Sequence, residues 1–308
     1  MTDTHSRLER QFKLMGGPAQ LVVDGVSELA TPIETLWQTL SGRLDDLEQR
    51  YSRYLDNSLV STINRRAGTQ TVTEVDTETA ALLNLAGQLW QESGGLFDIT
   101  SGPLRRAFNF QNGGVASPEQ LDAAKALIGW ERIEWQDNGL RLPVTGMEID
   151  LGGLVKEYAA DCAAQLMRES GVKHGLIELA GDVVAIGVQA NGAPWSVGIR
   201  DPQQDSSILT VHLTDSAMAT SGNYARVIKH QGQSYGHLLD PQSGLPVEGP
   251  TSVTVIDNHC LTAGAVSTVA CLKSEDDAEQ WLNQAELPWL IISANNAIRG
   301  PIADAATH

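Results

Sequence analysis

Five segments of the chain concentrate glycine, hydroxyl residues and acids beyond what packing needs. They are residues 14–17 with Met15; 95–104 with Leu96, Phe97 and Asp98; 149–161 with Asp150, Gly152, Gly153, Lys156 and Glu157; 219–224 together with 236–244, which hold His237, Leu239 and Asp240; and 262–268 with Gly264, Ser267 and Thr268. Paired glycines let a backbone approach a ligand closely, and the free N–H groups at a helix start favour phosphate. Asp150-Leu-Gly-Gly ahead of a helical pattern therefore reads as an anion-binding turn, with Lys156 one step further on. Neither a complete Walker loop nor a GxGxxG run is present. Thr220-Ser221-Gly222 lacks the flanks of a nucleophile elbow, which argues against a serine-nucleophile triad. Taken singly, Met15 is core filler or a ligand contact, His237 is structural or catalytic, and Asp240-Pro241 with Gly244 has the composition of a turn.

Elements must position these residues. Ile33, Leu36, Leu40, Leu44 and Leu47 recur every three or four residues and predict a helix over 31–51. Leu82, Leu85 and Leu89 predict another over 77–92, stopped by Gly94-Gly95, and Ser117-Pro118-Glu119-Gln120 is a capping-box start for a helix reaching toward 128. A further helix follows Asp150 and ends at Gly171. From about residue 175 the texture turns to short β-type runs at 176–179, 183–188, 195–200, 208–213, 224–229 and 252–256. Helices over 261–272 and 275–286 and a strand over 289–293 come last. Helices and strands in blocks predict an α+β fold rather than a doubly wound sheet, as one domain over 1–308 with a loose terminus.

With 308 residues, 42% hydrophobic and 19% charged, the chain can bury a full core, which excludes a disordered tail, a collagen-like fibre and a disulfide-stapled mini-protein. A net charge of -17 repels phosphate backbones and argues against nucleic acid as a partner. Any anionic ligand must be met locally by amides, a few placed cations or a metal. No apolar stretch approaches the roughly 18 residues of a membrane span, and the polar opening has no signal-peptide core. The expectation is a cytoplasmic protein, or a periplasmic one if a leader was omitted. Cys162, Cys260 and Cys271 form no CxxC pair and read as small core hydrophobes.

The five segments, in this order, resemble the ApbE family, the FAD:protein FMN transferases. Tyr51-Ser-Arg-Tyr54 with Asp56, Ser58 and Asn64 is similar to the family's early region, and 95–104 is similar to its FDxTxGPL motif. Residues 150–161 are similar to DLGGxxKGYAxD, 219–224 to ATSGxY, and 237–244 to HxxDPxTG. The resemblance implies a single ApbE-like, T-fold-related domain with motifs over about 12–295. Its helical part and its mixed or antiparallel sheet part would hold FAD in a cleft between them. It implies a reaction in which FAD is split, FMN is joined by a phosphoester to a Thr or Ser of an acceptor flavoprotein, and AMP leaves. By it, Met15, Leu96, Phe97, Asp98, Asp150, Lys156 and Leu239 contact FAD, and His237 and Asp240 position or activate the acceptor hydroxyl. It also implies Mg²⁺, held by Thr268 and the carbonyls of Gly153 and Ser267.

The chain departs from the family pattern at two places. Where ADAxxT carries a metal-binding aspartate, this chain has Gly264, and where glycine follows the motif lysine it has Glu157. Glu157 points to solvent, replaces the missing ligand or blocks the site. A smaller departure is Ala180-Gly181-Asp182, where the family commonly has Gly-Gly-Asp. Two alternatives to transfer follow: a homologue that binds FAD or a partner without reacting, and an FAD pyrophosphatase that uses water as acceptor.

Overall fold

A computed structural model describes residues 6–109, 114–115, 117–224, 227–230 and 233–306 of the chain. Their main sheet contains β1 (Arg7–Leu14), β2 (Gly17–Asp24), β3 (Gly175–Leu179), β4 (Asp182–Ile186), β5 (Ala217–Gly222), β6 (Ser252–Asp257), β7 (Trp289–Ile292) and β8 (Ile298–Arg299). The strands lie side by side in chain order, each antiparallel to the next. Between β2 and β3 come α1 (Ile33–Tyr51), α2 (Leu59–Arg65), α3 (Thr77–Glu92), α4 (Leu104–Ala107), α5 (Pro118–Lys125) and α6 (Val155–Glu169). Between β6 and β7 come α7 (Cys260–Cys271) and α8 (Glu275–Ala285), and α9 (Pro301–Ala306) follows β8.

Side-chain alternation explains the layers. Leu21, Val23, Ile177, Leu179, Val184, Ile186, Ala217, Ala219, Val253 and Val255 point to one face, into the large core shared with α1, α3, α6 and α7. Their neighbours Val22, Leu176, Val183, Ala185 and Met218 point to the other face. There the hairpin of Trp195–Arg200 and Ser207–Leu213 and the helix α9 cover them. Both faces are thus buried, which is why these strands read as unbroken apolar runs.

The helices fall close to where periodicity and capping put them. In α1, Leu36, Leu40, Leu44 and Leu47 are the buried stripe. Ser117 and Gln120 form the reciprocal cap of α5, which stops at Lys125 with turns beyond it rather than reaching 128. β1 begins at Arg7 and pairs along all of β2, and α9 docks by burying Ile302; the expected loose terminus falls on residues outside the described ones. Part of the expected 224–229 strand, and the opening residues 1–5, lie outside the described residues; the strand that is described there is Val227–His230. Cys260 and Cys271 are fully buried, and burial pushes the Cys271 thiol up to about 12. No helix among the described residues is long and apolar enough to cross a membrane.

Two tight turns stack at one end of the sheet. Met15 and Gly16 join β1 to β2 with φ of 49° and 76°, and Ala180 and Gly181 join β3 to β4 with φ of 51° and 99°. Two positive φ values in a two-residue hairpin loop are the backbone whose twist matches the flanking strands. The turns touch, since a Cβ built on Gly17 would stand 2.7 Å from Ala180 Cβ. Gly17→Ala should therefore cost about 1–3 kcal/mol in urea melts. Ala180→Gly should recover at least half of that loss; strictly additive effects would show that the two turns do not press on each other.

Candidate active site

Helices α6 and α7 run antiparallel in a register fixed by two contacts. Asp161 accepts hydrogen bonds from the Cys260 and Leu261 amides at 2.8 and 2.9 Å, and so caps α7 from outside. One turn back along α6, Glu157 packs over Gly264: a Cβ added there would collide with Glu157 Cγ and stand 3.1 Å from its Cδ. The antiparallel run puts the start of α6 and the Thr268 end of α7 at the same end of the pair. Ala160 and Ala164, on the face of α6 that carries Glu157 and Asp161, and Gly264 on α7 keep this interface thin.

The sheet places polar groups against the same corner. Asp182 opens β4 with the parity of Val184 and Ile186, and Ser221 sits in β5 with the parity of Ala217 and Ala219. Both side chains thus face the helices. Asp182, only 1% exposed, pairs with the Lys156 ammonium through Oδ2 and accepts the Thr220 amide on Oδ1 at 3.0 Å. The Lys156 ammonium is also 3.1 Å from Glu157 Oε1. Ser221 Oγ lies 2.9 Å from both Ser267 Oγ and Thr268 Oγ1, and Ser267 donates to the Gly264 carbonyl at 3.1 Å. A hydroxyl has one proton, so the chain has a direction: Thr268 donates to Ser221, Ser221 to Ser267, and Ser267 to the carbonyl. The lone pairs of Thr268 Oγ1 are left to accept.

The second motif buttresses the third. Phe97 is buried under Gly153, whose added Cβ would be 3.3 Å from the ring, and the Ile99 carbonyl accepts the Asp150 amide at 2.8 Å. Asp98 is committed to its own loop. Its Oδ1 accepts the Thr100 amide and hydroxyl at 2.7 and 2.6 Å, and its Oδ2 accepts the Trp130 amide at 3.1 Å. Burial raises its carboxyl above the ordinary range against these bonds. Asp150 binds Arg105 at 2.7 Å and Arg53 at 3.3 Å through Oδ2, while Oδ1 accepts the Gly152 amide at 2.9 Å. Asn64 clamps the segment from behind, bonding both the amide and the carbonyl of Ile149 at 2.7 and 3.0 Å.

The loop over 237–244 closes the ring of motifs. Asn223, just past Ser221, accepts the Leu238 amide at 3.0 Å, and Gln242 donates to the Gly94 carbonyl at 2.8 Å. Asp240 accepts the Gln242 and Ser243 amides at 2.8 and 3.3 Å, so its carboxylate shapes the turn. Half-buried Leu239 bridges to Pro246, and His237 is half-buried at the start of the loop. An open cleft lies nearby on the helical side, lined by Pro103, Arg106, Gln120, Ala123, Ala124 and Leu127.

The structure thus links Lys156, through Asp182 and the 220–221 stretch of β5, to Ser267 and Thr268, with the 237–244 loop joined to Asn223 just beyond and Gly153 packed on Phe97. Phe97 is packed in the core, and the Asp98 carboxylate is filled by bonds within its own loop and from Trp130. Met15 lies in the turn beside Ala180, half-buried on the large core, and Leu96 is half-buried in its loop. Sequence reasoning met Asp182, Ser221 and Arg53 only as members of motifs, and gave neither them nor Arg105 a place in the site. An acid and a serine at inward positions of apolar strands were the available signal for the first two. Among the described residues no three His, Cys, Asp or Glu side chains cluster as a metal site. A hard cation such as Mg²⁺ nevertheless fits the donor chemistry here, which combines hydroxyls with the Glu157 carboxylate, whose Oε2 is buried without a hydrogen-bond partner.

A model of the ApbE family matches residues 15–291. The chain belongs to the ApbE family. It is 27% identical over 266 residues to the FAD:protein FMN transferase of Vibrio cholerae, covering 84% of this chain and 79% of that protein. Among solved structures, the ApbE protein of Thermotoga maritima superposes with a TM-score of 0.89 at 29% identity, over 98% of this chain and 100% of that one. The flavin transferase ApbE of Vibrio cholerae gives 0.85 at 25% identity, over 96% of each. The α+β ApbE fold is therefore the fold of this chain, with an antiparallel main sheet.

The Lys156–Asp182 pair supplies a stability test within this ApbE frame. Removing one partner of a buried pair strands the other charge and costs about 3–5 kcal/mol. Lys156→Met should lose about that much in denaturant melts, and adding Asp182→Asn, which keeps an acceptor for the Thr220 amide, should restore more than half.

Proposed function

We propose that this chain is an FAD:protein FMN transferase, with FAD and an acceptor flavoprotein bearing a Thr or Ser as its substrates. The observation that carries the reading is the convergence of Lys156, Asp182, Ser221, Ser267 and Thr268 at the start of α6, in a chain whose relatives bear that name. Splitting a pyrophosphate is chiefly positioning and charge stabilisation. In an acidic protein the needed positive charge is local, from Lys156 and from Arg53 and Arg105 held by Asp150.

In the reaction, the acceptor oxygen bonds to the flavin-side phosphorus, the bridging P–O bond breaks, and AMP departs with the bridging oxygen. His237 receives the acceptor proton, and Asp240 holds the turn that presents it. The Gly153 carbonyl, Ser267 and Thr268 are the groups that would hold Mg²⁺, which when bound supplies charge neutralisation at the phosphates. The non-reacting alternative rests on Gly264; the Glu157 carboxylate packed beside that glycine supports the transferase reading over it.

Incubating the protein with FAD, Mg²⁺ and a threonine-bearing acceptor should release AMP in step with FMN on the acceptor. Thr268→Ala, which deletes one oxygen from the cluster, should slow both about a hundredfold. AMP released at full rate without acceptor would make the chain a pyrophosphatase, and no AMP in any condition would make it a binder only.

A further inference from the structure

Glu157 is a carboxylate where folding gains least from one. It is 6% exposed, its Oε2 has no hydrogen-bond partner, and its Oε1 shares Lys156 with the equally buried Asp182. Two carboxylates facing one ammonium leave the corner with a net negative charge, and a buried unpaired charge is expensive unless a cation meets it. Its stem occupies the volume that a side chain at Gly264 would need. Helical side chains lean toward the N-terminus of their helix, here the end of α6 that meets the Thr268 end of α7. The Gly264 under Glu157 has its carbonyl bonded to Ser267, which shares Ser221 with Thr268. The hydroxyl chain leaves Thr268 Oγ1 with its lone pairs unused. Carboxylate, hydroxyl and carbonyl oxygens around a negative corner are the donor set of a small hard cation.

We propose that Glu157 supplies the carboxylate ligand of a divalent-cation site beside Thr268, replacing from α6 the acid that the resemblance places at position 264 on α7. The two departures of this sequence are then one exchange. A carboxylate moved across the helix interface, and glycine took its old position because Glu157 needs the space. The proposal rests on the transferase reading for its purpose, but it makes a claim about metal binding that turnover does not enter.

The test is titration of Mn²⁺ into the full chain, with FAD present and absent, followed by the electron paramagnetic resonance of free Mn²⁺. Glu157→Gln, which keeps the volume and removes the charge, should weaken Mn²⁺ binding about tenfold or more. The paired variant Glu157→Gly with Gly264→Asp should regain binding that Glu157→Gly alone lacks. A metal-free readout checks the shared volume: Gly264→Ala should lower the melting temperature of the wild type and be tolerated in the Glu157→Gly background. Unchanged Mn²⁺ binding by Glu157→Gln, or no binding by the wild type, would overturn the proposal. Glu157-dependent binding without any AMP release would uphold it while removing the transferase reading.

Discussion

Close approach of α6 to α7 is the constraint on which the site depends. Alanine, glycine, serine and cysteine line the contact, and small residues let two helix backbones come near enough for a single side chain to span from one to the other. Asp161 sets the axial position by capping α7, and Glu157 over Gly264 repeats the contact one turn away. Once that register is fixed, Lys156 at the start of α6 and Thr268 toward the end of α7 lie at the same end of the pair, and β4 and β5 need only bring Asp182 and Ser221 to the ends of their strands. A bulkier residue at 160 or 264 would part the helices and disperse the oxygens.

Charge is handled by pairing rather than by excess. The chain carries a net -17, yet its motif-bearing cations each have an acid within reach: Lys156 has Asp182, and Arg53 and Arg105 share Asp150. Such pairs hold long side chains in place before a ligand arrives, so less entropy is lost when an anion displaces or joins the acid. The same pairing keeps a corner rich in buried carboxylate compatible with a folded state.

Much of the fold was legible because its signals are local. The stripe of α1, the cap of α5 and the breaks at glycine are read within a few residues. The β1–β2 hairpin was missed because β1 alternates charged and apolar residues at a sheet edge and buries only Leu14, while α2 is too short to show a period. The candidate site was legible as five segments but not as a geometry. Phe97 packs against Gly153 and Asp98 bonds to Thr100 and Trp130, contacts that the spacing of their motif does not disclose. Glu157 and Gly264 looked like two independent losses in sequence, since nothing local connects residues so far apart in the chain.

The chain-ordered sheet carries a consequence for assembly. Nearly half of the protein, residues 25–174, is threaded between two neighbouring strands, and it returns to its starting point, where the Asp24 amide meets the His174 carbonyl at 2.9 Å. Closing so long a loop costs about 4 kcal/mol of chain entropy before any contact rewards it. The β3-to-β7 portion and the hairpin of β1 and β2 can each form from near neighbours, but their seam waits for the whole helical segment to compact. The stacked turns of Met15 and Ala180 lie on that seam, so this edge of the sheet is completed late, and synthesis that pauses before residue 175 leaves the first hairpin without its sheet.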